Sequence, residues 1–187
     1  MLERLLEAGR ETLAVHGYEG ASTSRIAATA GVSPGSLYQY FPHKDAIVSA
    51  VIQRHSDALV SRVAAQLSGQ FDQPAPVVVR TTFAVLLDGL DVEPPFLRAA
   101  VEHGPRLDDG RTLRAFEHRI GELVLAYLTT RREGLRSDVP LESAVWMLVR
   151  TVEHLTVRYL LDRPPISRDQ FLDELGRMAL NYLRPPG

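Results

Sequence analysis

The sequence predicts an all-α protein of about nine helices: a small N-terminal domain of three helices, arranged as a helix-turn-helix, followed by a larger helical domain. Three observations carry this. Apolar residues recur at helical spacing, and glycines and prolines cut the chain into helix-length segments. No window alternates as a strand between hairpin turns, since the β-branched run Val77-Val78-Val79 is too short to decide against its helical neighbourhood.

Taken in order, Leu2, Leu5, Leu6, Leu13 and Ala14 share one face of a first helix, which Gly17 ends. Ser22 can N-cap a short second helix whose last residue, Ala30, precedes Gly31, a residue suited to the left-handed position past a helix end. Ser33 caps a third helix with Pro34 at its favoured first position. Pro42 stops that helix, so Leu37, Tyr40 and Phe41 are expected to form its inward face. A long amphipathic helix runs from about Lys44 to Leu67 and is broken by Gly69 and Pro74. Further helices are expected from Pro76 to Leu90, Pro94 to His103, Gly110 to Glu133, Pro140 to Asp162 and Arg168 to Leu183, the last opened by a Ser167-to-Gln170 capping box.

Composition narrows the class. With 45% apolar and 24% charged residues among 187, the chain reads as an ordinary globular protein able to bury a core. It has no cysteine, so disulfides and thiolate metal sites are excluded. The first turns carry acids and no uninterrupted apolar stretch, unlike a secretory signal, and no run reaches the ~20 residues that span a bilayer. A cytoplasmic location without membrane association is the expectation. There is no metal-binding helix signature, nucleophile elbow or phosphate-binding glycine loop, so neither catalysis nor a cofactor nor a metal site is expected.

The net charge of −2 argues against a nucleic-acid partner, and the first 45 residues are no more basic: Arg4, Arg10, Arg25 and Lys44 face Glu3, Glu7, Glu11, Glu19 and Asp45. A DNA reader, however, needs only a local cationic face. The helix-turn-helix supplies the rest of the logic, because the leading turn of its second helix must approach base edges closely. Ser33, Pro34, Gly35 and Ser36 are small enough to allow that. Tyr38 and Gln39 extend from the same element toward phosphate or base, and Lys44, the only lysine, opens the next helix where a phosphate strand would pass.

The segment from Gly17 to Ile47 resembles the DNA-binding signature of the TetR family of bacterial repressors. The resemblance lies in Gly17-Tyr18, Ser22, Ile26-Ala27, Ala30-Gly31-Val32-Ser33, Gly35, Leu37-Tyr38, Tyr40-Phe41 and Lys44-Asp45, all at fixed spacing. It implies that Ser22 and Thr23 contact the DNA backbone and that Ser24 and Arg25 point toward the groove edge. Pro34, Gly35 and Ser36 would face bases, and Tyr38, Tyr40 and Lys44 would hold phosphates. Tyr40 reads equally as an edge of the small core. Ile26, Ala27, Val32, Leu37 and Phe41 would be that core. Two positions depart from the pattern: Ala21 stands where a threonine is common, and His43 where a serine or asparagine caps the fourth helix, a weaker cap unless the ring nitrogen substitutes. The resemblance also implies a basic arm before the first helix, whose pattern here starts at residue 2.

The resemblance divides the chain into a helix-turn-helix domain, residues 1–45, and a helical effector-binding and dimerisation domain, residues 46–187. It implies a homodimer through the last two helices, double-stranded operator DNA as partner, and release by a small-molecule effector. Leu141, Ala144, Val145, Trp146, Leu148, Val149, Val152, Leu155, Val157, Leu160 and Leu161 spread around one helix, which must therefore bury more than one face. A pocket for a small, largely apolar molecule is expected among Phe83, Leu87, Phe96, Phe116, Leu123, Tyr127 and Trp146, with Arg150 and His154 as polar contacts. For each aromatic a plain core role is the competing reading, and for Arg150 a local pair with Glu153 or His154. A DNA-binding dimer with no effector is the alternative for the whole protein, and a closed, filled C-terminal core would favour it. The long helix that starts at Lys44 is the expected lever between effector and DNA.

Overall fold

A computed structural model describes residues 1–70 and 72–185. Among them are nine α-helices and no strand: α1 Leu2–Gly20, α2 Thr23–Ala30, α3 Pro34–Tyr38, α4 Lys44–Ser68, α5 Ala75–Leu90, α6 Pro94–Arg98, α7 Arg111–Thr129, α8 Leu141–Asp162 and α9 Arg168–Leu183. No helix among the described residues is long and apolar enough to cross a membrane.

The helix ends follow local chemistry. Ser22, Ser33 and Ser167 each accept a hydrogen bond at Oγ from the backbone N–H three residues on, which satisfies one of the donors a helix start leaves open. Gly31 closes α2 in the left-handed conformation (φ 65°), where a side chain would strain the backbone. Gly17 does break the first helix, with φ 63° and ψ −173°, but helical turns resume through Gly20. His43 caps α4 by its ring: Nδ1 accepts from the Ala46 N–H at 3.2 Å.

Two expected helices are shaped differently. The stretch from Pro94 to His103 is helical throughout, but after Arg98 it widens into a π-helical turn, Ala99–His103. The helix expected from Gly110 starts at Arg111 and ends at Thr129, short of Glu133. Before it, Asp108, Asp109 and Gly110 all adopt positive φ (45°, 57° and 70°). Asp108 is held there because its carboxylate accepts hydrogen bonds from the Thr112 hydroxyl (2.7 Å) and N–H (3.4 Å) and from the Ser49 hydroxyl (2.9 Å). Burial opposes the charge of Asp108, but these hydrogen bonds outweigh it and hold the carboxyl below its ordinary value.

The chain forms two compact units. The first comprises Met1–Ala58 and Asp91–Ala115, so a segment far along the sequence packs with the helix-turn-helix. Its core joins Leu5 and Leu13 of α1, Ile26 of α2, Leu37 of α3, Ile47, Val48 and Val51 of α4, and Phe96 of α6, which is 1% exposed. The second unit comprises Leu59–Leu90 and Phe116–Gly187. Its core gathers Leu59 and Val63, Val78, Ile120, Tyr127 and Leu128, Leu141, Ala144, Val145 and Leu148, and Ala179 and Leu183. Arg80 of α5 pairs with Asp169 and Asp173 of α9, and Arg168 with Asp88, which ties those two helices along their exposed edges.

Candidate nucleic-acid interface

The recognition element is built from the inside out. Leu37 is fully buried and Phe41 nearly so, which turns the remaining face of α3 outward. Tyr40 does not join them: it is 46% exposed, because α3 ends at Tyr38 and the helical register that would have carried Tyr40 inward stops there. Ser33, Pro34 and Gly35 are exposed and Ser36 half-buried; no long side chain stands at the leading end of α3. The Ser33 and Ser36 hydroxyls lie 3.0 Å apart, and Ser33 also caps the helix.

Several predicted contact residues already hold each other. The Thr23 and Tyr38 hydroxyls are 3.1 Å apart, linking the start of α2 to the end of α3. Arg25 donates to the carbonyl of Gly20, and Ser22 serves as the α2 cap. Ser24, Gln39 and Tyr40 are exposed. Lys44 donates from Nζ to the Tyr18 carbonyl at 3.1 Å and lies 3.8 Å from the centroid of the Tyr18 ring. An ammonium carries three donors, so this bond leaves others for a phosphate. The predicted residues thus sit on one structural unit, at α2, α3, the turn after α3 and the first residue of α4.

Sequence reasoning missed the residues that brace this surface. Tyr18 donates from its hydroxyl to Asp45 Oδ1 at 2.6 Å; burial first, then that bond, push its phenol up to about 12. Arg4 donates to the Ala30 carbonyl at 2.7 Å, satisfying an acceptor that the end of α2 leaves open. His103 stacks on Tyr18 with ring centroids 3.8 Å apart and planes 18° apart. Tyr18 stands in the signature itself, but Arg4 and His103 carry no local pattern that points to these partners.

Two short helices on a shared core, presenting a small-residue leading turn flanked by hydroxyls and an ammonium, define a DNA-binding transcriptional regulator of the helix-turn-helix class. The description "Bacterial regulatory proteins, tetR family" matches residues 5–51, and "Tetracyclin repressor-like, C-terminal domain" matches residues 74–183. The protein belongs to the TetR family. It is similar to the transcriptional repressor DhaR of Mycobacterium sp. (strain GP1), with 27% identity over 91% of this chain and 87% of that one. Over 60 residues, 32% of this chain and 27% of the relative, it is 47% identical to the transcriptional activator FasR of Mycolicibacterium smegmatis. Among solved structures, a tetR-family regulator from Streptomyces coelicolor shares the fold (TM-score 0.78, 20% identity, 97% of this chain and 79% of that one). So does FadR of Bacillus subtilis in complex with stearoyl-CoA (TM-score 0.73, 17% identity, 97% and 96%). Regulators of this family bind DNA and typically dimerise and bind small molecules.

The residues expected around an effector are distributed unevenly. Phe83, Phe116, Leu123 and Tyr127 lie in or against the core of the second unit and Leu87 is buried in the same unit, whereas Phe96 belongs to the core of the first. Trp146 is 61% exposed on α8, and His154 is exposed on the same helix. Arg150 reaches beyond its own helix: Nη1 bonds the carboxylate of Glu117 on α7, which is 9% exposed, and lies 3.8 Å from Glu153. Two carboxylates therefore share one guanidinium. Burial, with the nearby charge of Glu117, raises Glu153 to about 7 despite Arg150. Between its ordinary value of 4.5 and about 7, the folded chain keeps a proton that the unfolded chain has released, so stability from this group falls as pH rises through that interval. Thermal unfolding followed from about pH 5 to about pH 7.5 should show wild type losing stability relative to Glu153→Gln. Parallel profiles for the two proteins would exclude the assignment.

Proposed function

We propose that this protein is a dimeric repressor that binds an inverted-repeat operator through α3 and releases it on binding a small, largely apolar molecule. The observation that carries the DNA reading is the outward face of α3: Pro34, Gly35 and Tyr38 exposed around a fully buried Leu37, with Lys44 close by in the same unit. The repressor sense is supported by the name of DhaR, which matches this chain over most of its length.

Dimerisation is assigned to α8 and α9. Trp146, Met147 and Leu155 on α8 and Met178 on α9 are large apolar side chains exposed by 36% or more. Exposed apolar side chains of this size on the last two helices support an interaction surface there. In a two-fold dimer it would set two copies of α3 against successive major grooves.

The effector is assigned to the interior of the second unit. Buried within it, the hydroxyls of Tyr127 and Thr82 have no hydrogen-bond partner among the described residues, although buried polar groups normally have one. Phe83, Leu87, Phe116 and Leu123 lie on the same two helices, α5 and α7. An apolar molecule carrying a hydrogen-bonding oxygen fits that lining. The stearoyl-CoA complex of the Bacillus subtilis neighbour supports a ligand of this character. The assignment leaves Phe96 to the core of the first unit, Trp146 and His154 to the α8 surface, and Arg150 to its carboxylates.

Selection of duplexes from a random-sequence library should enrich an inverted repeat, and Lys44→Ala and Tyr38→Phe should both bind it more weakly than wild type. With so few cations, the dependence of affinity on salt should be shallow. Enrichment of no sequence, or wild-type binding by both variants, would count against the reading. For the dimer, Trp146→Glu should sediment as a monomer where wild type sediments at twice that mass; an unchanged mass would move the interface elsewhere. For the effector, fatty acyl-CoA esters and free fatty acids should raise the melting temperature of wild type more than that of Tyr127→Phe and should weaken operator binding. Stabilisation that leaves operator affinity unchanged would remove the linkage.

A further inference from the structure

The Tyr18 ring is where the segment contributed by residues 91–115 meets the helix-turn-helix, and three groups converge there. Lys44 Nζ lies 3.8 Å from the ring centroid and donates to the Tyr18 carbonyl at 3.1 Å. Asp45 accepts from the Tyr18 hydroxyl at 2.6 Å. The third group is the imidazole of His103, stacked on the ring at 3.8 Å. His103 closes the π-helical turn Ala99–His103, and its Nδ1 lies 3.1 Å from Arg106 Nη2. A guanidinium only donates, so Nδ1 accepts, and the ring is held in its plane as well as on its face.

We propose that His103 is a positioning residue for the DNA contact of Lys44, acting through the Tyr18 ring. A lysine ammonium rides on four rotatable carbons, and fixing it against a phosphate sacrifices that freedom. Here the carbonyl and ring face of Tyr18 restrict Lys44 before DNA arrives, and the attraction of an ammonium to an aromatic face does so without using up its donors. The benefit depends on the ring staying in place. Asp45 holds only its hydroxyl end; His103 covers its face. The His103 backbone is itself anchored within the same unit, on one side by the buried Phe96 and on the other by the hydrogen bonds of Asp108 to Ser49 and Thr112. A movement of residues 101–106 would therefore loosen Lys44 while Ala99 and Leu107 keep their places in the core of the unit. This gives the segment that leads directly into α7 a defined route to the DNA contact.

The inference rests on the reading that Lys44 binds phosphate, and the test separates the two. Affinity is measured by fluorescence anisotropy for a labelled duplex selected by the wild-type protein, at several salt concentrations, with denaturation midpoints recorded for every variant. His103→Ala and His103→Gln should weaken binding about threefold to fivefold. His103→Phe, which restores a flat ring, should bind as wild type. Lys44→Ala should reduce the slope of log affinity against log salt by about one. In the Lys44→Ala background, His103→Ala should cost nothing further, since both act on one contact. Wild-type binding by His103→Ala and His103→Gln would overturn the proposal, as would losses that add fully to that of Lys44→Ala, or a His103→Phe as weak as His103→Ala. If Lys44→Ala binds as wild type while Tyr38→Phe does not, the phosphate role of Lys44 falls, and this inference with it, but the DNA-binding function stands.

Discussion

A helix of five residues has no stability of its own, and one of eight has little, because the first turn fixes several residues for a single hydrogen bond. Yet α3 and α2, the elements proposed to meet DNA, are of these lengths. They exist because Ile26, Ala27, Leu37 and Phe41 are buried against α1 and α4, at about 1.5–3 kcal/mol for each of the larger side chains. Everything else about the surface follows from this constraint. Once the inner face is fixed by a few apolar residues, the outer face needs no stabilising side chains and can be serine, proline and glycine. The capping serines Ser22 and Ser33 then do double duty, opening the helices while standing exposed at the proposed DNA surface.

Scarcity of positive charge shapes the same unit. Among the first 45 residues the cations all have protein partners: Arg4 holds the end of α2, Arg10 pairs with Glu93, Arg25 bonds the Gly20 carbonyl, and Lys44 rests on Tyr18. Arg54 is shared by Glu3 and Glu7. Cations placed this way orient helices first and neutralise phosphate second. The proposed DNA contact therefore draws on shape, hydroxyls and the N–H groups of helix starts, with one restrained ammonium adding charge.

Local features were legible in the sequence because their causes are local. The caps at Ser22, Ser33 and Ser167, the left-handed Gly31 and the break at Gly17 each depend on residues within four positions. The family signature extended that to the fold and to which face of α3 is core. What escaped depended on partners far apart in the chain. Arg150 has a plausible mate three residues away in Glu153, but its principal one, Glu117, is 33 residues distant on another helix. Ser49 and Asp108 are separated by 59 residues. Phe96 and Trp146 look alike as aromatic positions in apolar helices, yet one is sealed in the core of the first unit and the other stands in solvent. Periodicity names the face of a helix and not what lies opposite it.

The stretch from Ala99 to Gly110 shows why that limit matters for function. A π-helical turn followed by three left-handed residues, two of them aspartates, goes against the intrinsic preference of the backbone at about 1–2 kcal/mol for each non-glycine residue. Asp and Gly tolerate this region better than other residues, but tolerance alone does not select it. It persists because the Asp108 carboxylate gathers the Ser49 hydroxyl and the start of α7, and because His103 finds the Tyr18 ring. A conformation held by a few directional contacts, and opposed by local preference, has few intermediate states available: when one contact is lost, the backbone gains by leaving. The segment between α6 and α7 thus holds a locally unfavourable backbone through directional contacts within the first unit. The helix-turn-helix is held instead by diffuse apolar burial, to which Ala99 and Leu107 of that segment also contribute.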